Sequence, residues 1–156
     1  MDVKEPPYLY LLMRNDLDSM NSGKAVAHGA HAANQFTHEL DQWTDDYQQR
    51  LYQSWKSSAK GFGTTITLHV SLKELQTAVA VARAMGFPAD ETVDPSYPYI
   101  IHREYAKLIQ HPENMPPVPM GKSGNMLCLR EEITAGYVFG DKNDLKPILG
   151  NFPLMP

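Results

Sequence analysis

The sequence has one cysteine, Cys128, so no disulfide can form within the chain. One cysteine and six scattered histidines supply no ligand pairs at zinc-finger spacing. Positive charge is also short: 14 Lys and Arg against 18 Asp and Glu leave a formal net charge of −4. Proteins that coat nucleic acid without selectivity are usually basic, which excludes that class. A local basic patch on an acidic chain stays open. No apolar run is long enough to span a membrane, and there is no internal repeat or low-complexity tail. The opening MDVKEPPYLYLL lacks the layout of a signal peptide. These absences lead us to expect a soluble, cytoplasmic protein with no membrane partner, no metal and no cofactor.

The composition is that of an ordinary globular chain, 42% hydrophobic and 21% charged over 156 residues. That length suits one domain spanning 1–156 with a real core. The most informative stretch is Met20–Ala33, MNSGKAVAHGAHAA. Alanine is the best helix former, so a helix is expected from Gly23 onward, capped by Asn21 or Ser22 and ending near His38–Leu40. At 100° per residue Lys24 and His31 return to nearly the same face, with His28 flanking them. Val26, Ala30, Ala33 and Leu40 form an apolar stripe expected to face the core. The run Tyr8–Met13 before this helix reads as a strand buried on both faces. A polar turn, Arg14-Asn15-Asp16, joins the two. The end of a strand followed by a helix N-terminus is where open α/β sheets place ligands, anions especially. Asn15, Asp16 and Lys24 are therefore candidates for one crevice. Simple turn chemistry explains Asn15 and Asp16 equally well.

Further along, Thr44–Lys60 is expected to be helical, with Trp43, Tyr47, Leu51 and Trp55 as a core stripe. Thr64–Val70 alternates as a strand. Ser71 and Glu74 form a capping box for a helix over Leu72–Met85, which Gly86 and Pro88 terminate. Ala89–Val93 is expected as a short strand ending at Asp94. Pro95–Asn125, rich in Pro, Tyr and His, reads as an irregular insertion with a short helix at Ile101–Gln110. Its Arg103, Lys107 and Lys122 lie among Tyr97, Tyr99 and Tyr105, a mixture that can grip single-stranded nucleic acid or form a self-packed surface. Met126–Leu129 and Ile133–Phe139 read as strand, and a last helix is expected from Asp144 to Leu149. The alternation implies an α/β three-layer sandwich: a mixed four-stranded sheet with helices on both faces.

The stretch Met13–Ala33 closely resembles the opening of type 2 peptidyl-tRNA hydrolases. That family has an apolar strand, an R-x-D-L turn, M-G-x-G-K and an alanine-rich A-A-Q-x-x-H-A helix. Arg14, Asp16 and Leu17 match the turn. Met20, Gly23 and Lys24 match the loop, and Ala27, His31, Ala32 and Ala33 match the helix. His28 stands in place of the usual glutamine and Asn21 in place of a glycine. More weakly, Met85–Pro88 resembles the end of the family's third helix. Thr134–Gly140 resembles its last strand, and Leu149–Phe152 its C-terminal G-H-L. After the third strand the family carries D-A-G-R-T-Q. Here Asp94-Pro95-Ser96-Tyr97-Pro98 stands there, keeping only the aspartate, with Arg130 and Thr134 as candidates to take the place of what is missing.

The resemblance implies hydrolysis of the ester joining a peptide to the 3′ ribose of tRNA, with peptidyl-tRNA as partner and a homodimer as the assembly. Such chemistry needs a positioned water, a base and oxyanion stabilisation. Asp94 is the candidate to orient or activate the water. Lys24 is the candidate to hold the oxyanion or terminal phosphate. His31 would assist proton transfer, and Asp16 would anchor Lys24. Arg14, Asn15, Gly23, His28 and Thr134 are candidate substrate contacts. Cys128 lies in an apolar strand run, where burial favours an inert thiol. Two alternatives stand beside this reading. One is a non-catalytic protein of the same fold that binds tRNA or another nucleic acid. The other is a hydrolase of the same fold acting on a different ester or amide.

Overall fold

The apolar run after Pro6-Pro7 forms β1, Tyr8–Arg14, with every residue after Tyr8 buried. In the computed structural model, which describes residues 5–156, the chain then runs through α1 (Ser22–Asp41), α2 (Asp46–Ser57) and a single 3₁₀ turn. It continues through β2 (Thr64–Val70), α3 (Leu72–Ala84), β3 (Ala89–His102), α4 (Arg103–Ala106), β4 (Val118–Met120), β5 (Asn125–Gly140) and α5 (Lys142–Leu149). The strands form one sheet in the order β2-β1-β5-β3, with β4 pairing to β5. β1 runs parallel to β2 and antiparallel to β5, so the sheet is mixed. It has five strands rather than the expected four. The extra one is β4, whose three exposed residues around Pro119 carry no core pattern to read. Among the described residues no helix is long and apolar enough to cross a membrane.

The described residues fall into two compact units. The first comprises residues up to Thr92 together with Thr134–Pro156. The second is Val93–Ile133. In the first, one sheet face presents Leu9, Leu11, Met13, Ala135, Tyr137 and Phe139 to α1 and α2. The other face meets α3 and α5; a Cβ added at Gly136 would reach Leu75, and one at Gly140 would reach Leu145. At the centre of the first face is Phe36, fully buried, with ring centroids of Tyr52, Trp55, Tyr137 and Phe139 at 5.6, 5.2, 5.4 and 4.8 Å. Gly63 follows the 3₁₀ turn with φ of 71° and passes under the Trp55 indole, where an added Cβ would lie 2.1 Å from the ring. Only glycine serves at that point. The edge of β2 is covered by the C-terminal segment, through His69 N–H to Pro153 O at 2.9 Å and Met155 N–H to Thr67 O at 3.0 Å.

Phe36 also corrects the expected orientation of α1. The helix buries Ala25, His28, Ala32, Phe36 and Leu40, one residue per turn, whereas Val26 is 74% exposed. Burying a benzyl group outweighs burying small alanines, so the aromatic sets the rotation. Residues 95–125 depart from expectation as well. β3 continues through Asp94, Pro95 and Pro98 to His102, because β3 is the last strand in the sheet order and an edge strand tolerates proline. The expected helix over Ile101–Gln110 shrinks to the single turn of α4. β5 runs unbroken from Asn125. The last helix starts at Lys142, two residues earlier than expected, because Asp141 accepts from Asn143 and Asp144 N–H as an N-cap. Pro147 therefore sits in its second turn.

Replacing Phe36 with alanine is expected to lower stability by about 3–5 kcal/mol. Urea unfolding followed by far-UV circular dichroism measures this. A loss below about 1 kcal/mol would mean the aromatic cluster does not anchor α1.

Candidate active site

Alternation along β1 sends Leu9, Leu11 and Met13 toward α1, so Arg14 falls on the α3 side. There it is buried, and its Nε donates to Asp16 Oδ1 at 2.7 Å. Asp16 Oδ2 accepts the backbone N–H of Leu72, the first residue of α3, at 3.0 Å. Burial pushes the Asp16 carboxyl up, but the hydrogen bonds from Arg14 and Leu72 and the guanidinium charge outweigh it and hold the group below the usual carboxylate range. Asp16 is thus a clamp between the end of β1 and the start of α3. Its partners among the described hydrogen bonds are Arg14 and Leu72, where Lys24 had been the expected one. Asn15 is exposed, and its N–H donates to Val70 O at 2.8 Å, extending the β1–β2 pairing by one residue.

The next turn delivers Lys24. Asn21 is the N-cap of α1, its Oδ1 accepting the Lys24 N–H at 3.0 Å. The Lys24 ammonium donates to Ser19 O at 3.0 Å, so the side chain folds back over its own loop and is half-buried. Gly23 is exposed in the first helical turn. A Cβ there would meet only Asn21 Oδ1, at an ordinary 3.5 Å. Packing therefore does not require glycine at this position.

Downstream on α1, Lys24, His28, His31, Gln35 and Glu39 follow at helical spacing along one edge of the buried face. His28 is buried on the core side, and His31 is exposed. Their rings meet edge to face at 5.6 Å. His28, expected to flank the Lys24–His31 stripe, does so from its buried side, because Ala32 and Phe36 draw its face inward.

Gln35 and Glu39 are residues that the sequence reading passed over. Gln35 Nε2 donates to Glu39 Oε1 at 2.9 Å and to Glu91 O at 3.1 Å, and Gln35 Oε1 accepts the Thr92 hydroxyl at 2.9 Å. Glu39 Oε2 accepts the hydroxyl of buried Tyr137. Burial, the Glu39 hydrogen bond and nearby Asp90 push the phenol far above its ordinary value, so it stays a donor. Continuing the Lys24–His28–His31 spacing for two more turns would have found this network.

Thr134 is fully buried at the start of the first unit's part of β5, and no hydrogen bond among the described residues reaches its hydroxyl. An orphaned buried hydroxyl costs about 1–3 kcal/mol.

In the second unit Asp94 is half-buried and its Oδ1 accepts the Ser96 N–H at 2.9 Å, spanning Pro95 within β3. Arg130 stacks over Tyr99 at 4.6 Å and pairs with Glu132 at 3.0 Å. Arg103 and Lys107 share the exposed Glu104 carboxylate, at 3.6 and 3.5 Å, so one of their two charges is offset. Burial pushes the Cys128 thiol up despite a hydrogen bond with Tyr99. A buried, protonated thiol is a poor nucleophile.

A family model described as peptidyl-tRNA hydrolase PTH2 matches residues 8–100. The matched span holds Arg14, Asp16, Lys24, His31 and Asp94. No curated protein matches the chain.

The Asp16 clamp predicts a pH dependence. Its folded pKa is lowered, so its stabilisation is present above the unfolded value of about 3.9 and fades as pH falls through the folded value. Asp16 is 40% exposed, so solvent screening holds the contribution to about 1 kcal/mol or less. Asp16→Asn is expected to differ from wild type by a constant amount at neutral pH, with the gap closing below about pH 4. Urea midpoints measured across that range check it. A gap that widens on acidification would contradict it.

Proposed function

The chain belongs to the type 2 peptidyl-tRNA hydrolase family, and from that premise we propose that it hydrolyses the ester of peptidyl-tRNA, or of an N-blocked aminoacyl-tRNA, by direct attack of water. The observation that carries the reading is that one family match takes in both the Lys24 segment and Asp94.

In the proposed reaction a water oxygen bonds to the ester carbonyl carbon. The bond from that carbon to the ribose 3′ oxygen then breaks, and a peptide carboxylate and a tRNA 3′ hydroxyl leave. Asp94 orients the water and takes its proton. The Lys24 ammonium, already held by the Ser19 carbonyl, stabilises the tetrahedral oxyanion or the terminal phosphate, aided by the positive end of the α1 dipole. His31, exposed on the same stripe, helps return a proton to the leaving oxygen. Asn15 and Gly23 contact substrate from the surface. Arg14 and His28, both buried, act by shaping the loop and helix beneath it. The protonated, buried state of Cys128 argues against a thiol nucleophile. We further propose that it acts in the cytoplasm as a homodimer, as the family resemblance implies.

Lys24→Ala and Asp94→Ala are each expected to lower kcat on N-acetylaminoacyl-tRNA by about 10²–10³-fold with folding intact. Wild-type turnover in both variants would reject these roles. A wild-type protein that retains peptidyl-tRNA on a filter yet releases no peptide would favour the non-catalytic tRNA-binding reading.

Thr134 gives a second, independent check. If its orphaned hydroxyl serves the substrate, Thr134→Val should leave stability unchanged or raise it by about 1 kcal/mol while lowering kcat/KM about tenfold. A stable variant with full activity would remove Thr134 from the site.

A further inference from the structure

A cleft of about 470 Å³ opens in the first unit where the end of α1, the end of α3 and the start of β3 meet β5. That volume lies within the usual range for small-molecule sites. Three aromatic side chains line it, Trp43, Phe87 and Tyr137, together with two carboxylates, Glu39 and Asp90, and one guanidinium, Arg83. Glu39 is fixed by neutral donors: the Gln35 amide on one oxygen and the Tyr137 hydroxyl on the other. Neither partner cancels its charge. Asp90 is held by the Glu91 N–H at 2.8 Å and shares its charge with Arg83 at 3.3 Å. Two carboxylates against one guanidinium leave the cleft negative. That sign disfavours the phosphates of an RNA and favours a cation.

Aromatic faces carry negative quadrupole potential and attract cations, and carboxylates among them add a full charge. Arg83 already shows the preference, since its guanidinium seats against Asp90 while the side chain stays 60% exposed. A cation held from an exposed, flexible stem is readily displaced. We infer that this cleft binds a primary ammonium group, carried either by a free small amine or by the side chain of a lysine in a peptide. Glu39 and Asp90 supply the counter-charge, Trp43 and Phe87 wall the cleft for the carbon chain that carries the ammonium, and Arg83 competes for the same place.

The test uses the full chain labelled with nitrogen-15. The probes are n-butylammonium chloride and a blocked lysyl dipeptide, with n-butanol and potassium chloride as controls. The Trp43 indole N–H and the Gly86 and Phe87 amides report occupancy. A saturable shift with an ammonium probe, absent with both controls, is expected. Whichever ammonium probe saturates at the lower concentration identifies the source. Asp90→Asn should weaken binding about fivefold, and Arg83→Gln should tighten it about threefold by removing the competitor. Because Arg83 is largely exposed, Arg83→Gln keeps the proposal testable even if Asp90→Asn disturbs the fold. No saturable shift with either ammonium probe would overturn the inference. So would equal shifts with n-butanol, or weaker binding in Arg83→Gln.

Discussion

The burial of Phe36 is the constraint on which the rest of the first unit depends. Its ring touches Tyr52, Trp55, Tyr137 and Phe139, so a single side chain joins α1, α2 and the sheet. A helix with one large apolar residue and many alanines has little else to fix its rotation, because each alanine buries only a small area. Once Phe36 is inward, the positions of Lys24, His31, Gln35 and Glu39 follow from helical geometry. They emerge along one edge, from a cationic start at the helix N-terminus to an acidic end beside Tyr137. Two polar regions of opposite character thus result from one packing event.

The connection between β1 and α1 is held at both ends by local chemistry. Arg14 and Asp16 tie the strand end to α3, and Asn21 and the Ser19 carbonyl tie the loop to Lys24. Each contact is modest, of the order of 1 kcal/mol. Together they fix the course of the loop that carries Lys24.

Much of this was legible in the sequence because it rests on local signals. The Ser71–Glu74 capping box, the Asn21 cap, the alternation of Thr64–Val70 and the two-sided burial of Tyr8–Met13 all encode their own geometry, and the structure follows them. The mixed sheet with helices on both faces followed from element order, and the family block at Met13–Ala33 pointed to the family shown by the match to residues 8–100. What was illegible depends on partners distant in the chain. His28 looked like surface because nothing in its neighbourhood announces that Phe36 turns it inward. Asp16 looked like a partner for Lys24 because Leu72, its partner from α3, is 56 positions away. Pro95 and Pro98 looked like the end of a strand, since edge position is a property of the sheet and not of the segment. Gln35 and Glu39 were missed for a lesser reason: the polar spacing continues through them, but an amide and a carboxylate on a helix ordinarily read as solvent-facing.

We propose direct attack of water on the ester, with Lys24 and Asp94 as the chemical groups and no covalent intermediate on the protein. The most direct measurement is rapid-quench turnover of N-acetylaminoacyl-tRNA in water enriched in the heavy oxygen isotope, with the protein mass recorded at each time point. Direct attack gives linear release with no initial burst, label in the freed carboxylate, an unlabelled tRNA 3′ hydroxyl and a protein of unchanged mass. Release no faster than the spontaneous rate, or a burst accompanied by an acylated protein, would contradict it.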